Sequence, residues 1–304
     1  MFDTIKIWWD VNGVPQQYDV DCCGEHPIFP KKIGCLSLRI EPRGSYTHYE
    51  LLGSVARYLH GDNSTTATPE EVKSAMLEMS EIVNFPLLTA KVSWVDVAVD
   101  VAVDVPPKAY FKWLQGHNRG YDRLMQGETT LLYKKKSGRR VIAFYDKVEE
   151  MRSDEQDCAE IDDCNIMRVE NRLRGGLSGS FFPSARCNSV ENLLLSKNCE
   201  RLKRWMIREY RNVEKQRNIY TMKKELVEPT AGDKRDYAAA LFMTMYPEEY
   251  SAFVAQPFET AASRSERSRM KKQDRRLQEL VKETENGMVE ELDNKVMEAI
   301  DRMQ

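Results

Sequence analysis

Between residues 90 and 105 the chain alternates almost without a break. Val95, Val97, Val99, Val101 and Val103 fall on one parity, and Asp96, Ala98, Asp100, Ala102 and Asp104 on the other. Successive side chains of a strand point to opposite faces, so the pattern predicts a strand with one apolar and one acidic face. Residues 4–8 and 36–40 alternate as well. Pro42, Arg43, Gly44 and Ser45 then separate the second of these from residues 46–52, which is a hairpin pattern. A second hairpin is predicted over 129–133 and 139–147, joined by the basic turn 134–138. Residues 166–174 form a further strand, with Arg168, Glu170, Arg172 and Arg174 on one face and Val169, Asn171 and Leu173 on the other.

Helical periodicity appears at 55–59, stopped by Gly61, and at 69–83. There Thr68 is placed to cap, Pro69 takes the first position, and Glu70 and Glu71 fall in the first turn. Residues 108–115 follow Pro106-Pro107 and are expected to be helical. From about 189 the pattern is helical throughout. Leu202, Met206, Tyr210 and Val213 recur three or four apart, one or two helices are expected over 236–254, and 259–304 is expected to be an exposed charged arm. The fold class expected is α+β: a central, mainly antiparallel sheet with flanking helices, followed by a helical C-terminal region. The expected division is a core at 1–188, a helical region at 189–256 and the charged arm at 257–304.

Hydrophobic residues make up 41% of the 304, enough for a core, and no apolar run approaches the roughly 20 residues that cross a bilayer. The start shows no basic stretch leading into an apolar one, so a cytoplasmic chain with reduced thiols is expected. Cys22, Cys23, His26 and Cys35 fit no common zinc spacing. Net charge is −3, but charge is unevenly spread. Residues 131–147 hold six Lys or Arg against one acid, 201–224 hold nine against two, and 148–163 hold eight acids against one Arg. Local basic surfaces decide phosphate binding, so nucleic acid stays open as a partner.

The ladder of Asp96, Asp100 and Asp104 places like charges along one face of a strand, a cost that a hard cation such as Mg²⁺ or Mn²⁺ would relieve. A half-exposed strand with hydrated acids is the alternative. Glu170, flanked by arginines, could join such a site while Arg168 and Arg172 grip phosphates; the alternative is a plain ion-pair ladder. Lys147, ending Phe144-Tyr145-Asp146-Lys147, could neutralise developing charge or simply pair with the acids that follow. The four histidines lie far apart, with no His-x-His pair. Tyrosine suits a nick that must later be resealed, because its phosphodiester keeps the bond energy. Tyr210 and then Tyr220, in the basic helical segment, are the candidates, although Tyr210 also fits the apolar stripe.

These segments resemble the filamentous-phage gene II replication proteins and the wider replication-initiation-factor group. The resemblance is carried by Gly53-Ser54-Val55-Ala56-Arg57-Tyr58-Leu59 with Gly61 and Asn63, by Trp94-Val95-Asp96-Val97-Ala98-Val99-Asp100, by Thr130-Leu131-Leu132-Tyr133 with Phe144-Tyr145-Asp146-Lys147, and by Arg168-Val169-Glu170-Asn171-Arg172-Leu173. Four motifs in order, spanning 47–174, are far more specific than any one alone. Ser93-Trp94 stands where the family usually has an arginine, and Val55 replaces a common proline. The resemblance implies a rolling-circle initiator that nicks origin DNA by tyrosine attack and rejoins it with metal assistance. Asp96, Asp100 and Glu170 would be the metal ligands, Lys147 the hairpin lysine, and a host helicase and polymerase the partners. Lys134, Lys135, Arg139 and Arg140 in the basic turn, with Arg168 and Arg172, would hold DNA. The competing functions are a non-catalytic DNA-binding module and a single-strand binder stacking bases on Trp94, Tyr133 and Tyr145.

Overall fold

The computed structural model describes residues 1–13, 29–154, 164–175, 177, 188–222, 230–246, 272–277 and 280–303. The chain divides into two compact units, Met1–Lys215 with Met288–Gln304, and Gln216–Gly287.

The strands of the first unit are β1 (Phe2–Asn12), β2 (Phe29–Ile33), β3 (Leu36–Arg43), β4 (Tyr46–Ser54), β5 (Lys91–Ala102), β6 (Leu114–His117), β7 (Asp122–Gln126), β8 (Thr130–Lys134), β9 (Arg140–Asp146), β10 (Ile166–Arg174) and β11 (Val213–Lys215). Nine of them form one sheet in the order β2-β3-β4-β1-β5-β10-β9-β8-β7, and the short β6 and β11 pair separately. Every neighbouring pair of the large sheet is antiparallel. The helices of this unit include α1 (Val55–His60), α2 (Pro69–Val83), α3 (Lys108–Phe111), α4 (Lys147–Ser153), α5 (Val190–Leu193) and α6 (Ser196–Arg211).

The predicted hairpins and the long alternating strand are present. Helix α2 starts as expected, with Thr68 and Glu71 forming a reciprocal capping box and Pro69 in the first turn. Three expectations need correcting. The helix expected at 108–115 ends at Phe111, and the chain turns into β6. The stretch after 211 holds β11 and β12 (Asn218–Met222), where the sequence predicts only helix. Finally, 287–301 is no exposed arm. This last helix, which follows α7 (Ala231–Met245) and is named α8 (Gly287–Asp301), buries Leu292, Val296 and Ile300 in the main core. Their spacing of four keeps them on one face, which the intervening charges obscure.

The core lies on one side of the sheet. Val95, Val97, Val99 and Val101 of β5 join Val169, Leu173 and Phe144 against Val72, Met76 and Met79 of α2 and Leu202, Trp205 and Met206 of α6. Burying each of those valines is worth about 1.5–3 kcal/mol. In the second unit β12 pairs with β13 (Val281–Glu285), and Ala240 and Met243 of α7 pack with Leu277. No described helix is long and apolar enough to cross a membrane. Cys35, Cys164 and Cys199 are unpaired, while Cys22, Cys23 and His26 lie outside the described residues.

Candidate active site

Because cross-strand partners share a face, the register fixes what meets on the polar side of the sheet. Across β5 and β10, Asp100 lies opposite Arg168, Ala98 opposite Glu170, and Asp96 opposite Arg172. Across β10 and β9, Arg168 lies opposite Tyr145 and Glu170 opposite Ala143. Asp96, Glu170 and Tyr145 therefore form a diagonal row across three adjacent strands.

Asp96 and Glu170 are both buried and hydrogen-bonded to each other. Burial, and then the Glu170 charge, hold the Asp96 carboxyl well above the usual range. Glu170 feels the same burial, but the Arg172 guanidinium overrides it and holds Glu170 below its ordinary value. Of the two, Asp96 is thus the carboxyl more easily protonated. Arg172 grips Glu170 with Nε at 2.9 Å and Nη2 at 3.2 Å, and its side chain keeps 26% exposure. The Trp94 indole N–H donates to Asp96, and the Arg174 guanidinium lies 4.0 Å from the Trp94 ring centroid.

Asp100 is engaged elsewhere. Arg168 donates to its two oxygens at 2.6 and 2.7 Å, and also to the Asn63 carbonyl at 2.8 Å. Its Nη1 lies 3.6 Å from Asp3, whose carboxyl accepts from Ser54 Oγ. Arg168 is fully buried. It therefore binds the scaffold together and is not presented to a phosphate, and Asp100 is its counter-ion before it is anything else. Lys147 is equally buried and 2.6 Å from Glu150. Burial, followed by the Arg168 charge, lowers its pKa. Asp3, Asn63 and Trp94 are not legible in the sequence as members of this cluster, because neither burial depth nor register can be read from one strand.

Two carboxylates from separate strands on one face are a donor set that a Mg²⁺ or Mn²⁺ ion fits, with water and a substrate phosphate completing the shell. A larger protein-built cage is not present: no group of three or more His, Cys, Asp or Glu among the described residues has metal-holding geometry.

The tyrosine candidates fall elsewhere. Tyr210 is in the core, its ring 6.2 Å from that of Phe144, and its hydroxyl donates to Asp293 at 2.8 Å. Phe144 lies opposite Val169, on the apolar face, so the sheet separates Tyr210 from Asp96 and Glu170. Tyr210 is a packing residue, as its place in the helical stripe allows. Tyr210→Phe is expected to cost about 1 kcal/mol, the net worth of one hydrogen bond, read from a denaturant midpoint. Tyr220 lies on β12 in the second unit, and its side chain is outside the described residues. In the basic turn, Lys134 and Arg139 are exposed, while Lys135 reaches the Arg119 and Gly120 carbonyls and lies 4.7 Å from the Tyr121 ring centroid. Arg140 opens β9 and is half-buried. Tyr133 is buried and hydrogen-bonds the Leu114 carbonyl, so Trp94, Tyr133 and Tyr145 do not form one stacking surface.

No curated protein sequence matches the chain. The profile of a family described as the N-terminal part of a replication-associated protein, the phage gene II protein, matches residues 9–218. That span covers well over half of the sequence and takes in β5, β9 and β10 whole, but only the end of β1; the chain belongs to the gene II protein family of phage replication-associated proteins.

Proposed function

We propose that the chain is a rolling-circle replication initiator that nicks origin DNA through a tyrosine–phosphodiester intermediate and later reseals the strand. The observation that carries this reading is the buried Asp96–Glu170 pair, two acids from different strands pressed together on the polar face. Such a pair is costly unless a proton or a cation sits between the charges. Asp96 and Glu170 would hold a Mg²⁺ or Mn²⁺ ion, whose chemistry when bound is to polarise the scissile phosphate. Arg172 has a phosphate-matching fork and partial exposure. Its transfer from Glu170 to an incoming phosphate would free the carboxylate as the substrate arrives. Lys134, Lys135, Arg139 and Arg140 hold the backbone at the hairpin. Arg168 and Asp100 fix the strands that carry the pair, and Lys147 keeps positive charge beside them. A host helicase and polymerase would then act on the opened strand in the cytoplasm.

Supercoiled plasmid bearing the replicon that encodes the chain tests this directly. With Mn²⁺, conversion to open circles carrying covalently bound protein is expected, and chelator should abolish it. DNA binding without strand cleavage would instead identify a non-catalytic recruitment module.

A further inference from the structure

We infer that the attacking tyrosine is Tyr145, on β9, an inference that rests on the nicking reading above. Three observations converge. First, Tyr145 stands on the polar face, directly across from Arg168 and one diagonal step from Glu170. Diagonal neighbours in an antiparallel sheet are about 7–8 Å apart, within reach of long side chains. Asp96, Glu170 and Tyr145 thus line up so that one phosphodiester can touch both the carboxylate pair and the phenol.

Second, other tyrosines of the first unit have their hydroxyls committed. Tyr58 donates to Glu78, Tyr110 to Glu291, Tyr121 to Glu209, Tyr133 to the Leu114 carbonyl and Tyr210 to Asp293. The Tyr145 hydroxyl has no hydrogen-bond partner among the described residues, although the residue is only 6% exposed. A largely buried polar group without a partner is a cost that calls for an explanation, and a substrate supplies one.

Third, the surroundings suit a phosphate. Arg172, whose side chain keeps partial exposure, lies on the same face as Tyr145. The half-buried Thr130 sits opposite on β8.

In the step, the phenolic oxygen forms a bond to the phosphorus, and the bond from phosphorus to one sugar oxygen breaks. The phenolic proton passes to water, and the departing sugar oxygen takes a proton from water to leave as a hydroxyl. Nothing is oxidised or reduced. One phosphodiester replaces another, which is why the reverse attack reseals the strand.

The test maps the adduct on the unmodified protein, so it does not depend on a variant folding. Protein joined to a cleaved oligonucleotide spanning the nick is digested with nuclease and trypsin and analysed by mass spectrometry. Trypsin cuts after Arg140 and Lys147, releasing a peptide whose single tyrosine is Tyr145. Nucleotide mass on that peptide is the expected result, and Tyr145→Phe should lower adduct formation at least about a thousandfold, as loss of a nucleophile does elsewhere. Nucleotide on the peptide carrying Tyr220, or on Tyr210, would overturn the assignment and leave nicking intact. Nicking without any adduct would also overturn it, and no nicking at all would remove the proposed function with it.

Discussion

Arg168→Met is expected to lower folding stability by about 3–5 kcal/mol, the range seen when one partner of a buried ion cluster is removed. The side chain is fully buried and forms the centre of a cluster. Its Nε and Nη2 bridge both oxygens of Asp100, Nη2 also takes the Asn63 carbonyl, and Nη1 faces Asp3. Methionine fills much of the volume but leaves Asp3 and Asp100 without their cation and the carbonyl without its donor. Lysine is not a conservative rescue, since a single ammonium cannot reproduce the planar fork. The measurement is the denaturant midpoint at neutral pH. A variant as stable as the parent would show that protons, not Arg168, neutralise these carboxyls. On the proposed function, the same variant should lose nicking in proportion to its unfolded fraction, because the fully buried Arg168 holds the strands together.

The second large effect is at Asp96. In the unfolded chain this carboxyl has its ordinary value of 3.8, and in the folded protein burial and the Glu170 charge raise it well above that. Between the two values the folded state binds more protons than the unfolded one. Stability is therefore full below about pH 4 as far as this group is concerned, and falls as pH rises toward the folded value. The slope is about 1.4 kcal/mol per pH unit for one such group. Asp3, raised to about 6 chiefly by burial, adds a slope of the same sign between about 4 and 6. Asp96→Asn keeps the shape and removes the titration, so its stability should decline less steeply over this range, leaving the Asp3 contribution. If the proposed function holds, cation-dependent nicking should drop by at least about a hundredfold, since one of the two proposed carboxylate ligands is gone. Unfolding curves at closely spaced pH values, beside plasmid nicking across a Mn²⁺ titration, separate the two outcomes. An asparagine variant that nicks normally at the same Mn²⁺ concentration would remove Asp96 from the metal reading.

Much of the sheet can be read from the sequence, because alternation is a strong signal when one face is valine and the other aspartate. That alternation also puts Asp96, Asp100, Glu170, Arg168 and Arg172 on polar faces. It cannot say which residues lie opposite which. Register decides that Arg168 meets Asp100 and so belongs to the scaffold, and that Tyr145 shares a face with Glu170 while Tyr210 lies behind the sheet. Tyr210 is attractive in the sequence for its basic neighbours, yet its periodicity with Met206 already points inward. The short strands β6 and β11 carry three or four residues each, too few for a period to emerge. Helix α8 reads as an exposed arm because Glu290, Glu291, Asp293 and Lys295 dilute its apolar stripe, although Glu291 and Asp293 accept hydrogen bonds from Tyr110 and Tyr210.

That last helix gives the fold a particular order of completion during synthesis. The first 215 residues leave the ribosome with the apolar wall beside Tyr210 still bare. Some seventy further residues, those of the second unit, have to emerge before Leu292, Val296 and Ile300 arrive to cover it. A polypeptide released before residue 288 therefore carries every strand of the polar cluster but an unfinished interior, so the scaffold behind that cluster is complete only once this late helix has been made.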